Sequence, residues 1–358
     1  QHLGTAEQTE NMASIYIHIP FCKSRCIYCD FFSTTLLTLQ DDFVKAVCKE
    51  LYIQQHFFQP NTLIQTIYFG GGTPSCLSIK QLSTIMHTIQ SLFNIAPQPE
   101  ITIEANPQDL NLEYLQQLLL IGFNRLSIGI QSFDNKQLMI LKRRHNNTQA
   151  INAVQYAQKA GFNNISIDLI YAIPSQTIQS WKQQLKQALK LNIQHISTYC
   201  LTPEPHTPYY KAIQKHTLTP TDDNTANQML HLAHNTLTKA HFNHYEVSNF
   251  ALIKHNNNTI DFRSQHNSAY WNRTPYLGIG PAAHSYNGNN LRTANKPNLK
   301  YYINTLLNNN NLTTIQTHET LTHKQIYNET IMLSLRTIEG INLKLLSQEE
   351  RNRSEEHT

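Results

Sequence analysis

One short phrase of sequence returns along the chain. Gly122-Phe123-Asn124-Arg125-Leu126-Ser127-Ile128-Gly129 recurs as Gly161-Phe162-Asn163-Asn164-Ile165-Ser166-Ile167-Asp168, with a fainter copy at His195-Ile196-Ser197-Thr198-Tyr199. Each glycine suits the left-handed position that closes a helix, and the alternating residues behind it suit a strand running back through the core. The phrase sits in a wider pattern where stretches of period two alternate with stretches of period 3.6. Strands are predicted at 14–19, 66–69, 101–105, 125–130, 165–169 and 196–201, and helices at about 41–56, 79–93, 112–121, 148–160 and 179–191. β-then-α units in series imply a parallel sheet, and their repetition favours an α/β fold of the TIM-like kind, a partial (β/α)6 barrel.

Period two also sorts the faces. Tyr16 and His18 lie opposite Ile15, Ile17 and Ile19, Ser127, Gly129 and Gln131 lie opposite Leu126, Ile128 and Ile130, and Ser166 and Asp168 lie opposite Ile165, Ile167 and Leu169. The polar residues thus share an inward face, nearest the carboxyl ends of the strands, where parallel barrels build their sites. After about residue 250 the sequence turns to Asn- and His-rich loops, with Trp271 and helical stretches near 299–308 and 323–335. A core barrel over 12–250 and a smaller, truncated C-terminal domain over 251–347 are expected. The leader, 1–11, reads as non-native or disordered, and 348–358 as a doubtful tail whose Arg353-Ser354-Glu355-Glu356-His357-Thr358 resembles a translated sequencing adapter.

Three of the six cysteines crowd into Cys22-x3-Cys26-x2-Cys29, directly after the first strand. So few cysteines in 358 residues do not make a disulfide framework, and their clustering points to metal in a reducing compartment. Three thiolates can bind three irons of a cubane [4Fe-4S] cluster and leave the fourth iron open to a small ligand. Lys23 and Arg25 are expected to lower the thiol pKa values. A structural zinc site normally takes four ligands in paired Cys-x2-Cys units, and no second pair exists. Cys48, Cys76 and Cys200 read as small core residues. A net charge of +4 without a basic, aromatic-laced block argues against a nucleic-acid partner. No apolar run approaches the ~20 residues that span a bilayer, and no signal-peptide pattern is seen, so a cytoplasmic location is expected.

The spacing and placement of these cysteines resemble the radical S-adenosylmethionine (SAM) superfamily, in which the open iron chelates SAM and one-electron reduction splits its sulfonium. Phe69-Gly70-Gly71-Gly72-Thr73-Pro74 follows at the end of the second strand, where glycines let the backbone approach the methionine end of SAM and exposed amides and carbonyls grip it. Within the superfamily the chain resembles the oxygen-independent coproporphyrinogen III oxidases and their relatives. That likeness is carried by Tyr16-Ile17-His18-Ile19-Pro20-Phe21-Cys22, Gly70-Gly71-Gly72-Thr73-Pro74, Arg125 through Phe133, Ile167-Asp168-Leu169-Ile170-Tyr171, Tyr245-Glu246-Val247-Ser248-Asn249-Phe250 and Gly278-Ile279-Gly280-Pro281-Ala282-Ala283-His284-Ser285. It implies SAM contacts at Tyr16, Gly71, Gly72, Thr73, Glu104, Gln131, Arg143 and Asp168, with Arg143 pairing the SAM carboxylate.

Two departures point away from the oxidases. Their fourth cysteine, two residues after the third, is Phe31 here, and at most 21 residues precede Cys22 where they carry a long arm. Both favour the haem-chaperone paralogues, which share His-Asn-x-x-Tyr-Trp, present as His266-Asn267-Ser268-Ala269-Tyr270-Trp271. This resemblance implies haem as cargo, with His266 as axial ligand and Tyr270 and Trp271 against the porphyrin or a propionate, and His284 and His244 as lesser ligand candidates. It also implies recipient haemoproteins, an electron donor and a homodimer among the states of the protein. Reductive SAM cleavage stays available in principle, no catalytic residue is assigned, and the alternatives are oxidative decarboxylation of propionates to vinyl groups and a zinc-stabilised binding module.

Overall fold

The computed structural model describes residues 12–255, 259–309, 311–343 and 346, so the expected leader and doubtful tail lie outside the described residues. Its first half runs β1 (Met12–Ile19), α1 (Gln40–Ile53), β2 (Leu63–Gly71), α2 (Ile79–Leu92), β3 (Ile95–Ala105), α3 (Leu112–Leu120), β4 (Arg125–Gln131), α4 (Asn135–Ile140), α5 (Asn147–Ala160), β5 (Ile165–Tyr171), α6 (Ile178–Leu189) and β6 (His195–Cys200). β1 to β6 are adjacent in sequence order and all parallel. This is the expected β/α series. β3 starts earlier than its alternation suggested, because Ala96-Pro97-Gln98-Pro99 carries prolines that normally weaken a strand assignment.

The repeated phrase has a structural counterpart. α5 opens with a capping box between Asn146 and Gln149 and closes on Gly161 at φ 114°, after which Phe162 turns into the core. Gly122 at φ 105° and buried Phe123 do the same after α3. Ahead of the fainter third copy, Asn192 at φ 51° takes the glycine's place and buried Ile193 the phenylalanine's. Each copy therefore aims one large side chain between helix and sheet, and fully burying such a side chain contributes about 1.5–3 kcal/mol.

The remainder runs α7 (Pro208–Gln214), α8 (Asp223–Lys239), β7 (Phe242–His244), β8 (Asn249–His255), β9 (Thr259–Asp261), α9 (Gln265–Trp271), β10 (Tyr276–Ile279), β11 (His284–Tyr286), β12 (Leu291–Asn295), α10 (Leu299–Asn308), β13 (Gln316–Thr320) and α11 (His323–Ser334). β10 lies parallel to β1 and is followed outward by antiparallel β11, β12 and β13; at the other edge β8 lies antiparallel to β6, with β7 beyond it. Residues after 250 thus extend both edges of the one sheet. No pairing joins β13 to β7 among the described residues, so the barrel stays open. Ile15, Ile17 and Ile19 pack outward into the core that holds Phe43, Val47 and Leu51 of α1, leaving Tyr16 and His18 to the inner face. No helix among the described residues is long and apolar enough to cross a membrane.

Candidate cofactor site

A cavity of about 350 Å³ opens at the carboxyl ends of the parallel strands. The loop after β1 brings Cys22, Cys26 and Cys29 to its wall, together with Gly71, Gly72, Thr73, Glu104, Gln131, Arg143 and Asp168. Backbone bonds fix that loop: Cys22 N donates to Thr34 O at 2.9 Å and Thr34 N to Pro20 O at 2.7 Å. Ile27, between the second and third cysteines, is buried in a small cluster with Leu141, Ile170, Leu201 and Tyr209, so the loop is held against the far strands as well.

The donor set fits an iron-sulfur cluster. Among the described residues no three His, Cys, Asp or Glu side chains converge closely enough to hold one metal ion. The cysteines nevertheless share one wall, which suits a cubane taking one sulfur per iron better than a tetrahedral zinc site. Arg143 completes the cradle, its Nη1 3.3 Å from Cys26 Sγ and its Nη2 donating to Gly129 O at 2.6 Å. Cys22 Sγ lies 3.5 Å from Thr73 Oγ1.

Burial pushes the Cys22 and Cys29 thiols up, contrary to the expected lowering by Lys23 and Arg25. Lys23 is drawn to Asp109 at 2.7 Å, and Arg25 offsets the burial of Cys29 only weakly. A bound metal would itself favour the thiolate form.

The glycine turn also differs from expectation. Gly72 N donates to Ile19 O and Thr73 N to Phe21 O, both at 2.8 Å, and Gly71 N donates to Glu104 Oε2 at 3.2 Å. These amides hold the turn against the first strand, so a ligand's ammonium would meet the turn through carbonyl oxygens. A Cβ on Gly72 would stand 2.9 Å from both Ile19 O and Phe21 O, which explains the glycine.

Two half-buried carboxylates face the cavity. Burial pushes Glu104 up to about 7 and Asp168 up to about 6; the Tyr68 hydroxyl, donating to Glu104 at 2.8 Å, and the Ser127 hydroxyl, donating to Asp168 at 3.2 Å, hold them down. Gln131 reaches the wall through a bulge in β4, at φ 66°. Tyr16 does not line the cavity; its hydroxyl meets His18 Nδ1 at 3.1 Å, and His18 Nε2 lies 2.9 Å from Phe32 O. Cys200, expected in the core, is exposed at the end of β6 and lines the cavity, while Cys48 and Cys76 are half-buried.

Sequence reasoning missed Asp109. Its side chain, only 2% exposed, joins Lys23 of the cysteine loop, Ser75 Oγ beyond the glycine turn at 3.0 Å, and Arg144 at 3.3 Å. Three segments that wall the cavity are thereby tied to one carboxylate. An Asp two residues after Pro107 gives no such signal in sequence.

The expected haem ligand His266 lies away from the cavity. It is buried on α9, with Nδ1 2.7 Å from Thr66 Oγ1 and Nε2 3.1 Å from the Tyr270 hydroxyl, so both ring nitrogens are hydrogen-bonded. Trp271 Nε1 is buried without an acceptor among the described residues. None of His266, Tyr270 and Trp271 lines the cavity.

An open parallel barrel whose first loop carries Cys-x3-Cys-x2-Cys beside half-buried carboxylates defines a radical SAM protein, and the Radical SAM superfamily profile matches residues 16–188. The chain is 38% identical over 276 residues to "Heme chaperone HemW" of Lactococcus lactis, covering 76% of this chain and 69% of that protein. It is 34% identical over 340 residues to "Heme chaperone HemW" of Bacillus subtilis, covering 94% and 86%. The chain belongs to the HemW family of the radical SAM superfamily. Its fold matches that of coproporphyrinogen III oxidase (HemN) from Escherichia coli with a TM-score of 0.78 at 24% identity, covering 91% of this chain and 76% of that one.

Proposed function

We propose that the chain is a haem chaperone, binding haem as cargo and delivering it to recipient haemoproteins with the help of a [4Fe-4S] cluster and SAM. Its relatives bear that name. The observation that favours this reading over propionate decarboxylation is Phe31, which stands where the oxidases place a fourth cysteine and lines the cavity as a residue 68% exposed. Tyr199, 43% exposed, lines the same cavity. Exposed rings at a cavity mouth suit a flat apolar macrocycle, since burying apolar surface contributes about 25 cal/mol per Å².

A bound [4Fe-4S] cluster would supply a site for SAM and the electron for reductive cleavage of its sulfonium. Cys22, Cys26 and Cys29 would hold the irons, and Arg143 would offset their negative charge and meet the SAM carboxylate. Glu104 and Asp168 would accept hydrogen bonds from its amino and hydroxyl groups. With His266 committed elsewhere, the exposed His284 is the imidazole offered to haem iron. Burial pushes the nearby His18 imidazole down, with His284 adding in smaller part, and His18 holds the Phe32 carbonyl next to Phe31. An external electron donor and a second copy of the chain complete the proposal.

Anaerobically reconstituted protein should hold haemin with a stable Soret band and leave coproporphyrinogen III unchanged in the presence of SAM and a reductant. Rapid oxidative decarboxylation without stable haem binding would overturn the assignment.

A further inference from the structure

α9 carries the His-Asn-x-x-Tyr-Trp element into the barrel's inner face. The Glu100 carboxylate on β3 accepts from the backbone N–H groups of Gln265 and His266, both at 3.0 Å, and Ser264 caps the helix through Asn267 N at 3.2 Å. The His266 side chain is thereby directed inward. Thr66 donates its hydroxyl proton to Ser14 Oγ at 2.9 Å, so it must accept from His266 Nδ1–H. His266 Nε2 is then left to accept the Tyr270 hydroxyl. This fixes one neutral tautomer, in keeping with burial that pushes the imidazole down to about 3.

The ring so fixed lies flat against Tyr68, with centroids 4.8 Å apart and planes 24° apart. Tyr68 in turn donates its hydroxyl to Glu104 Oε1 at 2.8 Å, and Glu104 Oε2 takes the Gly71 amide. A continuous run of contacts therefore joins α9 to the carboxylate on the cavity wall and to the glycine turn beside Cys22. We infer that His266 is a positioning residue for the cofactor cavity, holding the Tyr68 ring and through it Glu104, so that α9 sets the affinity for SAM. The inference rests on the reading of the cavity as the SAM site. It also makes iron ligation by His266 incompatible with an ordered Glu104, because reaching iron would break the Thr66, Tyr270 and Tyr68 contacts together.

The test is equilibrium dialysis of SAM against cluster-loaded protein, in wild type, Tyr68→Phe, His266→Ala, His266→Phe and the Tyr68→Phe/His266→Ala double variant, with haemin titrations alongside. Tyr68→Phe removes only the hydroxyl on Glu104, and it should raise the Kd for SAM about tenfold, as loss of one hydrogen bond to a carboxylate does. His266→Ala should cost a similar factor, and the double variant no more than the worse single, since both act along one line. His266→Phe keeps a ring on Tyr68 and should recover most of the affinity, a recovery that a general packing defect would not show. The haemin Soret band should persist in all of them. SAM affinity within twofold of wild type in Tyr68→Phe and the His266 variants, or fully multiplicative losses in the double variant, would overturn the inference. So would loss of haem binding in His266→Phe with SAM affinity intact. Wild type that fails to bind SAM overturns the cavity reading, and the inference with it.

Discussion

Replacing Asp109 with asparagine should loosen the wall around the three cysteines. The carboxylate is 2% exposed and takes Lys23 Nζ at 2.7 Å, Arg144 Nη2 at 3.3 Å and Ser75 Oγ at 3.0 Å. Breaking a fully buried ion pair at one partner costs about 3–5 kcal/mol. Lys23 and Arg144, however, keep 43% and 23% of their side chains in water and can be hydrated again. The expected cost therefore falls to roughly 2 kcal/mol. Denaturant unfolding of cluster-free Asp109→Asn against wild type reads that free energy, and the rate at which a chelator strips iron from loaded protein reads the looseness of the cysteine loop. Both should change, with lower stability and faster iron loss. An asparagine variant within about 0.5 kcal/mol of wild type, the scatter of an ordinary surface change, and with unchanged iron release would refute the latch.

Glu104 is pushed up to about 7 by burial, so its protonated fraction grows as pH falls through 7. In the proposed SAM complex it is the carboxylate form that would accept hydrogen bonds, so affinity should drop by up to about tenfold per pH unit below that point, and Glu104→Gln should bind weakly with a flat profile in isothermal titration. Glu50 is wholly buried and accepts from Tyr302 at 2.5 Å, Asn295 at 2.7 Å and Gly280 N at 2.8 Å. Glu50→Gln would turn an amide NH2 toward one of these donors, and a loss of about 1–3 kcal/mol is expected in thermal or denaturant unfolding; wild-type stability would contradict this account of how α1 is bound to the C-terminal strands.

What could be read from the sequence was local. Cys22, Cys26 and Cys29 lie within one loop, and the phrase around Gly122 and Gly161 carries its helix stop and strand start side by side, so both were legible without tertiary information. What escaped depends on pairing across long separations. β10 lies beside β1, yet nothing in Gly278-Ile279-Gly280 announces a parallel neighbour so far away, and the change in composition after residue 250 suggested a separate unit instead. Asp109 meets Lys23 and Ser75 only after the barrel has formed. His266 beside Tyr270 and Trp271 has the chemistry of a haem ligand; only Glu100 on β3, holding the first turn of α9, decides that the imidazole faces the barrel interior.

Whether the three cysteines hold a cluster with an open iron is read by electron paramagnetic resonance of the dithionite-reduced, anaerobically reconstituted protein before and after adding SAM. About four irons per chain are expected, with a reduced-cluster signal that shifts when SAM binds the open iron and is lost in Cys26→Ser. A signal indifferent to SAM, or iron retained at full occupancy without Cys26, would contradict that assignment.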